Sequence, residues 1–164
     1  SSHHKVDKII EILKDGKSVA VISDAGTPGI SDPAYTLIQA AIAAEITIVP
    51  IPGPSSMLTA LVASGLQMHN FLYLGFLPLK KGRQTLLKSL KDFDKTIIIF
   101  ESPHRILKTL NNLLEYLGDR RIAIGRELTK MHEEIIRSKI SEAITHFENK
   151  KPKGEFVIII EGKN

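Results

Sequence analysis

Apolar residues along the chain fall into two patterns, one typical of buried strands and one typical of helices. Uninterrupted apolar runs occur at residues 18–22, 46–52, 96–100 and 156–160, and such runs are typical of strands covered on both faces of a sheet. Between these runs apolar residues recur every three or four positions, as in VDKIIEIL at 6–13. The alternation of strands and helices predicts an α/β fold.

Glycine, proline and capping residues mark the predicted ends of these elements. Gly16 predicts the end of the first helix, while Asp32 with Pro33, and Ser141, predict helix starts. The predicted helices are 6–13, 33–44, 53–65, 84–91, 103–118 and 141–149, and the predicted strands are 18–22, 46–52, 71–77, 95–101, 121–128, 133–140 and 154–162. A connector at 66–70 predicts two small α/β domains, 1–67 and 68–164, the first of them partial.

Composition narrows the class of protein. The chain has 164 residues, 43% of them hydrophobic, which is enough for a packed core. It has no cysteine, which excludes disulfides and thiolate chemistry. No apolar run approaches the roughly 18 residues of a membrane span. With no visible signal peptide and no cysteine, a cytoplasmic location is expected. The net charge of +4 is compatible with a nucleic-acid partner but does not require one.

Two glycine-containing loops precede predicted helices. SDAGTPGISDP covers 23–33 and follows an apolar run, and VPIPGPSS covers 49–56 and begins within one. Ligands of open α/β sheets bind at the carboxyl ends of strands, and helix N-termini favour anions. The loops therefore predict a site for a small polar ligand, with a tight strand–helix turn as the alternative. They match neither the phosphate-binding loop motif nor the usual dinucleotide motif.

Charged residues follow two later strands. In ESPHR, Glu101 could accept a proton or form an ion pair with Arg105, and His104 is more typical of a packed or solvated histidine than of a base. GRELTKMHEE, at 125–134, is a candidate site edge without the spacing of a metal site. PLKKGR, at 78–83, could meet phosphates or form solvated surface.

Taken in order, these motifs resemble one family. SDAGTPGISDP, VPIPGPSS, GFLP, FESPHRI, GRELTKMHEE and GEFVIIIEG together resemble the ribosomal RNA small-subunit methyltransferase I family of the tetrapyrrole methylase superfamily. The resemblance implies two α/β domains with S-adenosylmethionine in the cleft between them and no metal. It also implies methylation of a cytidine ribose 2′-oxygen in the decoding region of 16S rRNA, within the small ribosomal subunit, by a homodimer.

The resemblance also assigns residues to the cofactor. Thr27 and Ile30 are expected to contact its methionine part, and the second-domain strand ends to surround its adenosine. The full set of implied cofactor contacts is Asp24, Ala25, Gly26, Thr27, Pro28, Ile30, Pro52, Gly53, Ser55, Ser56, Glu101, Ser102, Arg126, Glu127, Gly154 and Glu155.

Two further groups of residues complete the predicted site. Glu101, Glu127 and Asp24 are the three candidates for the base that accepts the hydroxyl proton. The predicted RNA contacts are Arg105, Arg126, Lys130, Lys80, Lys81 and Arg83.

One departure from the family pattern concerns the first domain. The family begins with a further strand, loop and helix and an acidic CEDTR-like motif, which do not precede Lys5, so an N-terminally truncated chain is expected. Two other hypotheses stay open at this point. One is a relative acting on a tetrapyrrole or on diphthine, and the other is a non-catalytic fragment that only binds a ligand or RNA.

Overall fold

The computed structural model describes residues 2–150 and 152–163, with side chains from residue 4 onward. Over these residues it contains six helices and five strands, which confirms the predicted α/β class. The helices are α1 (Ser2–Lys14), α2 (Tyr35–Ala43), α3 (Ser56–Ser64), α4 (Arg83–Ser89), α5 (Ile106–Leu117) and α6 (Ile140–Glu148). The strands are β1 (Phe71–Phe76), β2 (Thr96–Glu101), β3 (Arg121–Arg126), β4 (Glu134–Lys139) and β5 (Phe156–Ile160).

The chain forms two compact units, one ending at Ser55 and one beginning at Ser56. The first unit contains α1, α2 and both glycine-containing loops, and the second contains the other four helices and all five described strands. None of the helices in the described ranges is long and apolar enough to cross a membrane. The predicted division into domains 1–67 and 68–164 stays a prediction.

The five strands form one mixed sheet in the order β1-β2-β5-β3-β4. β1 and β2 are parallel, whereas β5 runs antiparallel to both β2 and β3, and β4 antiparallel to β3. It follows that β1, β2 and β3 point the same way. Their carboxyl ends therefore share one edge of the sheet with the first residues of β4 and β5, and we call this the site edge.

The central strands are buried on both faces, as the apolar runs predicted. In β2, Ile97 and Ile99 belong to a core cluster with residues of α4, α5 and α6, while Ile98 belongs to a second cluster with residues of α3. β5 alternates in the same way, with Ile158 in the first cluster and Ile159 in the second. Successive side chains of a strand point to opposite faces, so an all-apolar strand requires a cover on each side.

The predicted strands at 18–22 and 46–52 are wrong. Neither segment forms a strand in the structure, and no described residue pairs with them in a ladder. Their apolar side chains are exposed except for the half-buried Ile46, with Ile22 at 87% and Ile51 at 76%. The apolar pattern reports a tendency to be buried, but a strand also needs a hydrogen-bonded neighbour, and the described residues supply none to these two segments.

Two predicted helix starts are also wrong. α2 begins at Tyr35 after Ala34, and no side chain caps it, so Asp32 is not its N-cap. α6 begins after Lys139, whose N–H donates to Glu142 Oε2 at 2.9 Å. Ser141 lies inside α6 because its N–H and hydroxyl both donate to the carboxylate of Asp119. A tertiary partner thus takes the hydroxyl that was expected to cap the helix.

Candidate active site

Two glycine-containing loops contact each other within the first unit. Thr27 Oγ1 donates a hydrogen bond to the carbonyl oxygen of Pro54 at 3.0 Å. A Cβ placed on Gly26 would lie 3.6 Å from that same oxygen, and a Cβ on Gly53 would lie 3.7 Å from Thr27 Oγ1. Side-chain atoms at either glycine would therefore occupy space between the loops. We call these two contacting loops the cradle, and their glycines leave backbone groups accessible to a small polar ligand.

The other candidate residues of this cradle differ in exposure. Asp24, Ala25 and Ile30 are exposed, and Ile30 leaves 57% of its surface open. Thr27, Pro28 and Ser55 are half-buried, whereas Pro52 and Gly53 are exposed. The exposed Ser56 is the first residue of α3, in the second unit. The first loop is braced internally, because Ser23 Oγ donates to the carbonyl of Gly26 at 2.8 Å.

In the second unit, the sheet brings the remaining predicted residues to the site edge. Glu101 ends β2 and Arg126 ends β3, and both lie opposite Phe156, the first residue of β5. Ser102 and Glu127 follow directly after these strand ends, and Gly154 and Glu155 directly precede β5. Antiparallel pairing of β5 therefore gathers residues that are up to 54 positions apart in the sequence.

A compact ionic group occupies the β3 side of this edge. Glu127 Oε1 accepts hydrogen bonds from the Glu155 backbone N–H at 2.9 Å and from Lys130 Nζ at 3.0 Å. Lys130 Nζ also donates to Glu155 Oε2 at 2.8 Å. The Glu155 N–H, and then the Lys130 ammonium, lower the pKa of Glu127. The carboxylates of Glu155 and Glu127 raise the pKa of Lys130, so Glu127 and Lys130 both stay charged at neutral pH.

The backbone beside this group has no room for a side chain at Gly154. Its φ is +93°, and a Cβ there would collide with Cγ and Cδ of Glu127. We therefore expect Gly154→Ala to lower the free energy of unfolding by about 1–3 kcal/mol for the positive φ and by about 1 kcal/mol more for the hydrogen bond that Glu127 loses when the Cβ displaces it, measured by urea denaturation. Gly16→Ala is the matched control, since Gly16 has φ +78° but nothing within 4 Å of an added Cβ. Equal losses in both variants would contradict the role of the collision.

Glu101 is buried, with a fully inaccessible side chain. Its Oε1 accepts from the Ser102 N–H at 2.8 Å and lies 3.2 Å from Arg105 Nε, and its Oε2 accepts from Thr109 Oγ1 at 2.5 Å. Of the two readings of ESPHR, the ion pair with Arg105 is therefore present in the structure. His104 of the same motif is exposed.

The predicted RNA contacts separate into exposed and engaged side chains. Lys80 and Lys81 are exposed, and Lys130 leaves 48% of its side chain open. Arg105 leaves 22% and Arg126 only 23% open. Arg126 donates to the Lys153 carbonyl at 2.7 Å and pairs with Glu134 at 3.3 Å.

Arg83 requires a correction. It is only 6% exposed, and its guanidinium donates to Asn112 Oδ1, Thr109 Oγ1 and the Pro78 carbonyl. All three guanidinium nitrogens of Arg83 thus donate hydrogen bonds within the protein, and the side chain is not available to bind a phosphate. The interaction with Thr109 was not anticipated from the sequence. The sequence does contain an indication of it, because Thr109 is a polar residue on the apolar face of α5, between Ile106 and Leu113.

Sequence comparison places the chain among known methylases. The family described as Tetrapyrrole (Corrin/Porphyrin) Methylases matches residues 2–144. Ribosomal RNA small subunit methyltransferase I of Thermotoga maritima is 47% identical over 99% of the chain, which spans 73% of that protein. The chain belongs to this methyltransferase family. The Bacillus subtilis family member is 46% identical over 100% of the chain, which spans 56% of that protein.

Solved structures agree on the fold. The methyltransferase CobJ superposes with a TM-score of 0.71 at 23% identity, covering 96% of the chain and 70% of CobJ. Uroporphyrin-III C-methyl transferase from Thermus thermophilus, complexed with S-adenyl homocysteine, gives a TM-score of 0.60 at 15% identity, covering 93% of the chain and 72% of that protein. The resemblance inferred from the sequence motifs is thus confirmed, both for the family and for the fold.

Proposed function

We propose that the protein transfers a methyl group from S-adenosylmethionine to small-subunit ribosomal RNA, at the ribose 2′-oxygen of a cytidine. The observation that carries the proposal is the contact between the two glycine-containing loops, through Thr27 and Pro54, in a chain of this methyltransferase family. Relatives at 46–47% identity bear the rRNA methyltransferase name, which favours rRNA over a tetrapyrrole or diphthine substrate.

The proposed cofactor contacts are given for each unit by itself. In the first unit, Thr27 and Ile30 contact the methionine part, supported by the backbone of the cradle. In the second unit, the residues at the site edge contact the adenosine. Of the contacts that the resemblance implied, Asp24 is assigned to the reaction below, and the retained set is Ala25, Gly26, Thr27, Pro28, Ile30, Pro52, Gly53, Ser55, Ser56, Ser102, Arg126, Gly154 and Glu155.

The chain itself must hold the substrate in line and accept one proton. S-adenosylmethionine, held by the residues named above, would supply an activated methyl group, and the ribose hydroxyl that receives it must lose its proton to a base. Of the three candidate bases, we propose Asp24. The Glu101 carboxylate is buried and occupied, and Glu127 is held by Lys130 and Glu155, whereas Asp24 is exposed beside the cradle.

Asp24→Asn tests both the activity and the base. We expect the variant to lower kcat about 100-fold to 10,000-fold, because the amide cannot accept the hydroxyl proton, while the Kd for S-adenosylmethionine changes little. Transfer of radiolabelled methyl to unmethylated small ribosomal subunits gives kcat, and calorimetry gives Kd. Asp32→Asn is the control, as an exposed aspartate of the same loop. An unchanged kcat would exclude Asp24 as the base, and an inactive wild type would contradict the activity.

The partner of this reaction is 16S rRNA in the small ribosomal subunit, which places the protein in the cytoplasm. Lys80 and Lys81, which are exposed, are the proposed phosphate contacts together with Lys130, Arg105 and Arg126, which are engaged in ion pairs. Phosphate neutralisation supplies much of the affinity for RNA. The homodimer that the family resemblance implies stays a prediction.

A further inference from the structure

A polar cluster, buried at Arg83, Glu101 and Thr109 and half-buried at its other two members, joins three parts of the second unit near the site edge. It consists of Arg83, Glu101, Arg105, Thr109 and Asn112. Thr109 links its two halves, since its hydroxyl donates to Glu101 Oε2 and accepts from Arg83 Nη2 at 2.8 Å. Glu101 is 1% and Thr109 0% exposed. Burial of charged groups is unfavourable unless each is paired, and here each guanidinium has several partners.

The cluster also forms hydrogen bonds to the backbone at the start of the basic loop that precedes α4. Arg105 Nη2 donates to the Leu77 carbonyl at 2.8 Å, and Arg83 Nη1 donates to the Pro78 carbonyl at 3.2 Å. Arg83 is the residue at which the loop ends and α4 begins. The loop 78–82 is thus fixed at both ends by one buried guanidinium, and it carries the exposed Lys80 and Lys81.

We propose that Arg83 is a positioning residue for RNA binding, which holds Lys80 and Lys81 in place for phosphates without touching RNA itself. This inference rests on the proposed function. A loop that is already ordered loses less conformational entropy when its lysines bind phosphate. The preorganised loop should therefore bind RNA more tightly than a flexible one. Lysine at position 83 would keep the charge but lose the planar fork that reaches Pro78, Thr109 and Asn112 together.

The test is a double-mutant cycle on binding of an RNA hairpin copied from the small-subunit rRNA. We expect Arg83→Lys to weaken binding about tenfold and to reduce the slope of log K against log salt concentration. The double variant Lys80→Gln with Lys81→Gln should reduce this slope directly, because it removes the two charges. In the background of the two glutamines, Arg83→Lys should cause no further loss. Arg121→Lys is the control, because Arg121 is exposed and lies at the start of β3, opposite the site edge.

Each outcome has a distinct meaning. The positioning role would be overturned if the losses were additive. It would also be overturned if Arg83→Lys bound RNA with the affinity and the salt dependence of the wild type. Either result would leave the proposed function intact. A wild-type chain that does not bind the RNA would overturn both. Thermal unfolding checks that each variant is folded. If Arg83→Lys does not fold, Asn112→Ala replaces it, since this change removes only the 3.0 Å bond to Arg83 Nε and should weaken RNA binding in the same non-additive way.

Discussion

Replacing Thr27 by arginine is expected to abolish binding of S-adenosylmethionine, with a loss of at least about 100-fold in affinity. The hydroxyl of Thr27 bridges to the Pro54 carbonyl, and Gly53 lies close enough that an added Cβ would be 3.7 Å from Thr27 Oγ1. An arginine side chain there would occupy the cradle and remove the bridge. A loss of 100-fold corresponds to about 2.7 kcal/mol. Isothermal titration of each variant with S-adenosylmethionine measures it.

Two controls make this result specific. Thr36→Arg adds the same side chain at an exposed position of α2 in the same unit, and it should bind the cofactor as the wild type does. Thr27→Ser keeps the bridging hydroxyl and should lose little affinity. If Thr27→Arg binds as tightly as the wild type, the cradle is not the cofactor site.

Glu101→Ala is expected to lower the free energy of unfolding by about 3–5 kcal/mol. The carboxylate balances the guanidinium of Arg105 at 3.2 Å and accepts the Thr109 hydroxyl. Its removal leaves the Ser102 N–H and Thr109 without their acceptor, and it leaves Arg83 and Arg105 without the carboxylate between their like charges. Urea denaturation at neutral pH, analysed with a two-state model, measures the change.

Glu134→Ala is the matched control for this loss. Glu134 also pairs with an arginine, Arg126 at 3.3 Å, but its side chain is 32% exposed. Water screens such a pair, so its removal should cost no more than about 1 kcal/mol. Similar losses in both variants would show that burial of the Glu101 cluster adds nothing to stability.

The parts of the fold that followed from the sequence depend on local pattern. The runs 96–100 and 156–160 became β2 and β5 because all-apolar segments of strand length are stable only inside a covered sheet. The stripe of α5 and the glycine after α1 likewise depend on neighbours within one or two turns. The order of the loop motifs indicated the methyltransferase family, and comparison with known sequences confirmed it.

Other features depended on contacts that are distant in sequence. The runs at 18–22 and 46–52 are also mostly apolar but have no described partner strand. A single segment does not specify which strand it will pair with. Ser141 was expected to cap α6, and Asp119, 22 positions away, took its hydroxyl instead.

The site divides in the same way. The sequence determined which residue types follow each strand, and so which loops are glycine-rich, acidic or basic. Only the tertiary structure decided that antiparallel β5 brings Glu155 to Glu127, and that Arg83 turns inward to Thr109 rather than outward to solvent. The physical reason is that the residue type does not specify the partners of a charged side chain. Its role depends on the groups that folding places within hydrogen-bond distance of it.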